Sequence, residues 1–405
     1  MKETIKPVLK KNRVEILDVI RGFAIFGILI ANIQSWSGYK FIHFEHIASL
    51  PYYEYNDIFH YLFMFFIDTK FYTLFSLLFG IGFYIQFNKQ RENQLPFMKT
   101  YRRRLGFLMM FGAIHSFFWS GDILLIYGGV GLIFVMFRNL KNTTILKLSI
   151  FLYFSWLIYD IIIALYFPQI LNYEYTAYKT YPDIIPEDLT YIFQNGSLYE
   201  VLQANWHNLY YRYIDLIPSG RLTKVLALFL LGFYLMSIDY FTTYAKSFKL
   251  FLFYFISGSI ITFIAYEIGG SMASFSHNLT NVAYKAIAVT GQILLALSYI
   301  SILAILDEKA FFKKVFHLFI YVGRMSFTSY LMHTLLGYLL FYPFFSGLYG
   351  TMGLLQITLL ALGLYIIQIL FSFFWLKVFS YGPLEWVWRC LTYGKLFPIV
   401  RKKRA

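Results

Sequence analysis

The chain has 405 residues, of which 59% are hydrophobic and 14% are charged, and its mean hydropathy is +0.58. Soluble domains are about 45–50% apolar and about 25% charged, so this composition excludes an ordinary soluble protein. The formal net charge is +14. Because the basic residues fall in alternate predicted loops, we interpret this charge as a signal of membrane orientation and not of nucleic-acid binding. The single cysteine, Cys390, excludes internal disulfides and multi-cysteine metal or redox centres.

Repeated apolar runs of about 20 residues predict an all-α, polytopic integral membrane bundle of about ten transmembrane helices, with both termini cytoplasmic. A short helix over 57–67, interfacial or re-entrant, precedes the second span, since the polar residues Asp68, Thr69 and Lys70 argue against one continuous helix. This topology predicts a multi-pass protein of the cell membrane, in contact with the lipid bilayer. The predicted spans are 16–36, 71–87, 104–119, 122–137, 147–167, 221–239, 249–268, 283–305, 321–344 and 354–377.

The spans divide the chain into two membrane-embedded halves, a loop between them and two tails. Within the loop, residues 187–211 predict one amphipathic helix lying on the outer surface. The regions are a cytoplasmic N-terminal tail (1–15), a first bundle half (16–167), an extracytoplasmic loop (168–219), a second bundle half (220–378) and a cytoplasmic C-terminal tail (379–405).

The strongest site candidate is a hairpin within residues 102–131, where two spans are joined by a tight turn at Ser120 and Gly121. His115 lies in the last turns of the first span and Asp122 opens the second. A charged side chain at midspan costs about 2.5–3.5 kcal/mol, so polar residues there usually have a role. An aspartate can fix the tautomer of a histidine that acts as general base, general acid or acyl acceptor. The alternatives are a structural hydrogen bond within the hairpin, or Asp122 as the N-cap of the second helix.

A second polar pair lies in the first span. Asp18 and Arg21 are three residues apart, so they share a helix face and are able to pair. Arg21 offers a fork of donors to phosphate or carboxylate, which makes the pair a candidate anion site. The alternative is a neutralised ion pair that fixes helix packing. Asn32 lies three turns beyond Arg21, where it either lines a pathway or hydrogen-bonds a neighbouring helix.

The predicted span 321–344 contributes two further candidates. His333 lies near its middle and needs polar neighbours or a cavity at that depth, which favours a ligand site or a proton path. Arg324, at the start of the span, is a candidate anion ligand.

Haem and metal sites are disfavoured. Paired axial haem ligation needs two histidines at similar depth, and we place His115 near the outer side and His333 near midspan. No spacing typical of a metal site occurs, so we predict no metal and no required cofactor.

Five stretches, covering both ends and most of the chain in order, resemble the YeiB-like membrane proteins, also called domain of unknown function 418. They are DVIRGFAIFGILIANI at 18–33, LFSLLFGIGF at 74–83, RRLGFLMMFGAIHSFFWSGDILLIY at 103–127, GRMSFTSYLMHT at 323–334 and YGPLEWVWRCLTYGK at 381–395.

The resemblance implies a polytopic membrane protein, and transport has been suggested for the family. The family is also distantly similar to membrane acyltransferases, including the acyltransferase type 3 and heparan-glucosaminide acetyltransferase groups. In the type 3 group an arginine of the first span is followed eleven residues later by a catalytic histidine. Arg21 matches that arginine, whereas Asn32 stands at the histidine position. His115, from another helix, is our candidate for the replacement base.

We therefore expect an acyltransferase-like protein that moves an acyl group from a cytoplasmic CoA donor, such as acetyl-CoA, to an extracytoplasmic small-molecule, lipid or glycan acceptor. Arg21 and the basic inner loops would bind the CoA phosphates, and His115 with its aspartate would act near the outer side. The alternative is a transporter or binder of a small anionic or lipidic molecule, with Asp18, Arg21, Asn32 and His333 lining a pathway. A third possibility is a structural membrane protein that acts through partners.

Overall fold

The computed structural model describes residues 15–42, 44–92, 97–167, 186–214, 216, 219–269 and 279–401. Within them the fold is all-helical, as predicted, and a bridge between Phe379 and Val400 is the one β pairing. The helices of ten or more residues are α1 (Glu15–Trp36), α2 (Lys70–Glu92), α3 (Phe97–Phe118), α4 (Leu124–Phe134), α5 (Asn142–Tyr166), α6 (Pro186–Asn195), α7 (Leu198–Ile214), α8 (Arg221–Ser237), α9 (Phe248–Gly269), α10 (Leu279–Asp307), α11 (Ala310–Arg324), α12 (Ser326–Phe341), α13 (Leu354–Val378) and α14 (Pro383–Tyr393).

By length and composition, six helical segments in the described part of the chain are able to cross a membrane. They are Glu15–Trp36, Tyr53–Lys89, Asn142–Tyr166, Phe248–Ile268, Val282–Asp307 and Leu354–Val378. The other four predicted spans correspond to α3, α4, α8 and α12. Helix α3 has 22 residues, but its first turns carry Lys99 and Arg102–Arg104. Helices α4, α8 and α12 have 11, 17 and 16 residues, at or below the roughly 17–25 residues that a membrane crossing takes. The fold is compatible with an integral membrane protein, and the count of ten spans stays a prediction.

The predicted interruption before the second span is confirmed. A helix over Asn56–Leu62 continues as a π-helix over Phe63–Ile67, and α2 begins at Lys70. Between them, Thr69 has a φ of 62°, a left-handed conformation that ends the helix.

Two predicted helices are each divided in the structure. The span predicted over 321–344 is wrong as one helix, because α11 ends at Arg324 and α12 begins at Ser326. The amphipathic helix predicted over 187–211 is likewise two helices, α6 and α7. Ser197 and Glu200 start α7 as a capping box: Ser197 N–H donates to Glu200 Oε2 (2.7 Å), and Glu200 N–H donates to Ser197 Oγ (3.4 Å).

A carboxylate from α14 stabilises the start of α12. Glu385 accepts hydrogen bonds from the backbone N–H groups of Phe327 (2.8 Å) and Thr328 (3.1 Å), and from the Thr328 hydroxyl (2.5 Å). An anion is favourable at a helix N-terminus, where such N–H groups have no partner within the helix. Helix α14, which lies in the predicted C-terminal tail, therefore packs on the bundle. The predicted tail residues 1–14 and loop residues 168–185 lie outside the described part.

Glycines allow the closest helix contacts. A Cβ at Gly80 in α2 would lie 1.9 Å from the Phe229 carbonyl oxygen in α8, and a Cβ at Gly232 in α8 would lie 2.0 Å from the Leu77 oxygen. A similar contact joins Gly323 of α11 to the backbone of Asp18 in α1. Small residues at such crossings let backbones approach, which is the usual packing mode where the hydrophobic effect does not drive helices together.

We expect Gly80→Ala to lower the free energy of unfolding by about 1–3 kcal/mol, because the added methyl group must push α8 away. Gly129→Ala in α4 is the matched control, since a Cβ there meets nothing within 4 Å. Thermal unfolding of the detergent-solubilised variants measures both. A Gly80→Ala protein as stable as Gly129→Ala would contradict the close crossing.

A second prediction concerns pH. Burial raises the pKa of Glu385 above its ordinary value of 4.5, although the bonds from Phe327 and Thr328 act in the opposite direction. The folded protein therefore holds this proton more tightly than the unfolded chain. The protonated carboxyl group therefore adds to the free energy of unfolding. This contribution is fully present below pH 4.5 and is lost as the pH rises through the raised pKa of Glu385.

Glu385→Gln should remove this loss, because its side chain does not titrate and its amide oxygen can accept the two backbone bonds that Glu385 Oε1 accepts. We expect the melting temperature of the wild type to fall, relative to the variant, as the pH increases through this window. A difference between the two proteins that does not change with pH would show that the carboxyl group titrates normally.

Candidate functional site

The predicted hairpin is present, and a tight turn closes it. The Asp122 N–H donates to the Trp119 oxygen (3.2 Å), which leaves Ser120 and Gly121 at the centre of the turn, as predicted. Gly112 lies one turn before His115, and a Cβ there would be 2.3 Å from the Leu125 nitrogen. The missing side chain lets the first turn of α4 lie directly on α3.

This close approach brings His115 and Asp122 together, a contact that the sequence left open. His115 Nδ1 and Asp122 Oδ1 are 2.7 Å apart. The second carboxylate oxygen, Oδ2, accepts a bond from the Leu125 N–H (2.9 Å). Asp122 is therefore both the histidine partner and a cap of α4, so that two of the alternative interpretations hold at once.

The other imidazole nitrogen contacts a threonine that sequence analysis did not select. His115 Nε2 lies 2.8 Å from the Thr334 hydroxyl in α12. A carboxylate only accepts hydrogen bonds, so a neutral His115 carries its proton on Nδ1 and accepts the Thr334 proton at Nε2. Asp122, His115 and Thr334 thus form a continuous carboxylate–imidazole–hydroxyl line, which we call the polar line.

Aromatic side chains enclose the polar line. The rings of Tyr330 and Trp119 have centroids 5.3 Å and 5.9 Å from that of His115. The Tyr330 hydroxyl accepts a bond from the Ile123 N–H (3.3 Å), another group in the first turn of α4. The members of the line are 4–5% exposed, so water is largely excluded from it.

His333 lies beside the polar line but has different partners. Its Nε2 is 3.0 Å from the Gln368 side-chain oxygen, and the Gln368 amide donates to the Ser329 carbonyl (3.2 Å). Since that carbonyl can only accept, the Gln368 oxygen faces His333, and Nε2 carries the proton. His333 Nδ1 is then a buried acceptor without a partner among the described residues. The ring centroid of Trp36 is 6.2 Å from that of His333. Its buried indole N–H likewise has no acceptor among the described residues.

The two histidines lie at similar depth, so our different depth estimates were wrong. Thr334 follows His333 directly and reaches His115, which places both imidazoles at one level of the bundle. Both nitrogens of His115 and one of His333 are already hydrogen-bonded. Among the described residues, no group of three or more His, Cys, Asp or Glu side chains could hold a metal ion.

Helix α7 covers the end of α3 above the polar line. The Asn205 amide donates to the Phe118 carbonyl (2.9 Å) and to the Tyr338 hydroxyl (2.8 Å), and that hydroxyl donates to the same carbonyl (2.7 Å). Trp206 stacks on Phe117 at 5.4 Å. The Phe118 carbonyl, which ends α3 and has no partner within the helix, thus accepts two hydrogen bonds. Helix α7 covers this side of the site.

The other predicted site residues lie mostly at the opposite end of α1. Asp18 and Arg21 form the predicted ion pair (2.9 Å), and Arg324 ends α11 where Gly323 packs on Asp18. The structure does not bring this group together with His115. Asn32 is half-buried in α1, one turn before Trp36 and on the same face.

Comparison with known proteins places the chain in a family. It is 30% identical over 420 aligned residues to the uncharacterized protein YxaH of Bacillus subtilis (strain 168), an alignment that covers 99% of this chain and 100% of the relative. Residues 226–395 match the model of the DUF418 family, which is described as a protein of unknown function. The chain belongs to this family. The uncharacterized protein YeiB of Escherichia coli (strain K12) is 28% identical over 411 residues, which cover 95% of this chain and 98% of YeiB. No solved structure matches the chain.

In this DUF418 protein, helical spacing contained a signal for the residues that sequence analysis missed. Tyr330, Thr334 and Tyr338 follow each other at intervals of four, and therefore form a polar stripe on one face of α12. All three lie along the contact with α3 and its turn. Gln368 is an isolated polar residue in α13, and nothing local to it points to His333.

We predict that Asp122→Ala and Asp122→Asn differ in stability. Alanine leaves both the His115 Nδ1–H and the Leu125 N–H without an acceptor, at about 1–3 kcal/mol for each buried group. Asparagine can accept from Leu125 through its oxygen and donate to His115 through its amide, which changes the tautomer but satisfies both groups. We expect a melting temperature near that of the wild type for Asp122→Asn, and a clear decrease for Asp122→Ala. Equal values for the two variants would contradict this account of Asp122.

Proposed function

We propose that this protein is a membrane-embedded acyltransferase in which His115, oriented by Asp122, is the general base. The observation that carries the proposal is the polar line, since a carboxylate, an imidazole and a hydroxyl in this order are the parts of a nucleophilic acyl-transfer site. In such a site the carboxylate holds the tautomer and stabilises the imidazolium when a proton arrives.

The direction of the Thr334 hydroxyl supports a role for it as nucleophile. Threonines inside helices commonly donate to the carbonyl four residues earlier, as Thr290, Thr358 and Thr392 do here at 2.7–2.8 Å. The Thr334 hydroxyl is instead 2.8 Å from the nitrogen of His115 that is able to take its proton. This distance is within the range for a nucleophile and its base.

The proposed reaction has two steps. In the first, Thr334 Oγ1 forms a bond to the thioester carbonyl of an acyl-CoA donor, and its proton passes to His115 Nε2. The carbon–sulfur bond breaks, and the proton passes from the imidazolium to the departing thiolate. In the second, an acceptor hydroxyl attacks the acyl-threonine, gives its proton to His115 and takes the acyl group, and Thr334 Oγ1 recovers the proton.

The unpaired atoms beside the polar line suit the same chemistry. A buried donor or acceptor without a partner costs about 1–3 kcal/mol, and a substrate group that pairs with it regains this cost. The Trp36 Nε1–H is available to an acyl carbonyl oxygen, and His333 Nδ1 is available to an acceptor hydroxyl. His333 directly precedes Thr334 in α12, and the Trp36 ring packs against Gly337, one turn after Thr334.

Transport or binding of a small anionic or lipidic molecule is the second candidate function. The observation that favours it is burial, because an acyl donor must enter a site whose side chains are at most 5% exposed. In this case Asn32, His333 and the polar line belong to a path for the molecule or for protons, and no covalent intermediate forms.

Intact mass distinguishes the two functions. We expect purified protein mixed with acetyl-CoA, without acceptor, to gain one acetyl group that peptide mapping assigns to Thr334. Thr334→Ser should keep the adduct and Thr334→Val should lose it, whereas Thr358→Val, at a threonine that only bonds its own helix, should behave as wild type. His115→Gln and Asp122→Asn should slow formation by about 10²–10⁴-fold.

An adduct of unchanged yield in Thr334→Val would contradict the role of Thr334. The absence of any adduct or product in the wild type, with acyl chains from acetyl to palmitoyl, would contradict acyl transfer. Uptake of a labelled anion into vesicles that requires His333 would then support transport.

A further inference from the structure

A group of cations lies at the end of the bundle where α3 begins and α13 ends, which we call the basic end. Arg104, in the second turn of α3, lies on the ring of Trp388, the residue before Arg389 in α14. Arg21 reaches the same end of α2, where a Cβ at Gly82 would lie 3.7 Å from its guanidinium. The charges of Arg389 and Arg21 both repel that of Arg104. Arg389 comes from α14 and Arg21 from α1, so three separate helices contribute one arginine each. Like charges held together in this way lose free energy unless an anion lies between them.

The acids nearest to this cluster are already engaged. Asp18 pairs with Arg21 at 2.9 Å, and Glu385, one turn before Arg389, accepts the three bonds at the start of α12. In the described part of the chain no carboxylate pairs with Arg104. Its guanidinium lies instead on the face of Trp388, at 3.8 Å from the ring centroid.

Trp388 holds Arg104 in place at two points. Its indole N–H donates to the Arg104 carbonyl oxygen (2.9 Å), while its ring supports the guanidinium from one side. A stacked guanidinium keeps its in-plane N–H groups free for a ligand. The side chain is therefore oriented before any ligand binds, which reduces the entropy that binding costs.

A cavity of about 10 Å³, which holds one water-sized group, lies beside Arg104, between α2, α3 and α14. Most of its lining can hydrogen-bond: the residues are Gln86, Thr100, Tyr101, Arg104, Thr392 and Tyr393. Gln86 and Thr392 use one proton each on backbone oxygens of Gly82 and Trp388. Arg104, Thr100 and the two tyrosines add further hydrogen-bond donors to the lining. Oriented N–H and O–H donors around an arginine are the usual recognition of a phosphoryl oxygen.

We propose that Arg104 at the basic end binds a phosphoryl group, one oxygen of which occupies the cavity, and that Arg389 and Arg21 supply further positive charge. A phosphate bound at Arg104 lowers the repulsion that its guanidinium experiences from the other two.

The position of the cavity also limits the acyl donor, and this part of the inference rests on the proposed function. Arg104 and His115 are eleven residues apart on the continuous helix α3, so a phosphate at one is about 16 Å from a carbonyl at the other. A small acyl phosphate cannot span that distance. The donor is a phosphorylated carrier with an extended arm of about this length, which agrees with an acyl-CoA.

Binding measurements on the full-length protein in neutral detergent test the site without any acyl transfer. The probes are pyrophosphate and coenzyme A, by calorimetry and thermal shift, and nanodiscs that contain phosphatidylglycerol, against nanodiscs of phosphatidylcholine alone. We expect coenzyme A and pyrophosphate to bind, and Arg104→Gln to raise the Kd at least tenfold. Arg104→Lys should give an intermediate value, because it keeps the charge but loses the fork.

Arg138→Gln is the matched control. It removes the same charge on the same predicted side of the membrane, but Arg138 donates to the Val135 carbonyl (3.0 Å) and does not line the cavity. Its Kd should equal that of the wild type. Equal weakening by Arg138→Gln, or no binding of any probe by folded wild type, overturns the proposal.

The source of the phosphate is decided by which probe binds. Binding of phosphatidylglycerol alone, lost in Arg104→Gln, supports the phosphoryl site but overturns its assignment to the acyl donor. His115→Gln should bind coenzyme A as the wild type does. The phosphate site and the catalytic proposal can therefore fail separately. An acetyl adduct on a protein that binds none of the phosphate probes overturns the phosphate site and leaves the catalytic proposal standing.

Discussion

The structure around the candidate site depends on the hydrogen bonds that the two oxygens of Asp122 accept. One accepts from His115 and fixes its tautomer, while the other accepts from Leu125 and starts α4. A carboxylate buried in an apolar bundle is costly unless both oxygens have partners. The turn after α3, the first turn of α4 and the orientation of the imidazole therefore depend on the same side chain. The absence of a side chain at Gly112 makes this possible, because α4 could not otherwise approach α3 so closely.

The orientation of His115 also fixes the position of α12 relative to α3. The remaining nitrogen of the imidazole needs a donor, and Thr334 supplies it from a helix more than 200 residues further along the chain. Glu385 anchors the start of that helix and Asn205 bonds the hydroxyl of Tyr338 near its end. Hydrogen bonds between membrane helices are individually modest, so their role here is to select one register among several that apolar packing would allow. The unpaired atoms of Trp36 and His333 stand out because the groups around them are satisfied.

What the sequence predicts well in this chain is local. Asp18 and Arg21 are three residues apart, so helical spacing was enough to predict that they are able to pair. His115 and Asp122 are seven residues apart across a turn, and the sequence identified them as candidates but left open whether they meet. Thr334 could be recognised only as part of a polar stripe, since nothing in the sequence says which helix faces it. The break between α11 and α12 was missed for a related reason: Met325 is apolar, and the group that stabilises the new helix start is Glu385, about 60 residues away. Hydropathy reports where the chain is apolar, not where the helix stops.

The continuous helix α3 connects the basic end with the polar line. This helix carries Arg104 near its beginning and His115 near its end, and being a continuous helix it keeps them at a fixed separation of about 16 Å. Arg21 and Asn32 have the same separation on α1, and the half-buried Asn32 cannot take a proton as a histidine would. In the function that we propose, His115 is the base, and its place on α3 keeps this separation from the basic end. The turn after α3 then supplies the carboxylate partner that an imidazole needs to hold one tautomer.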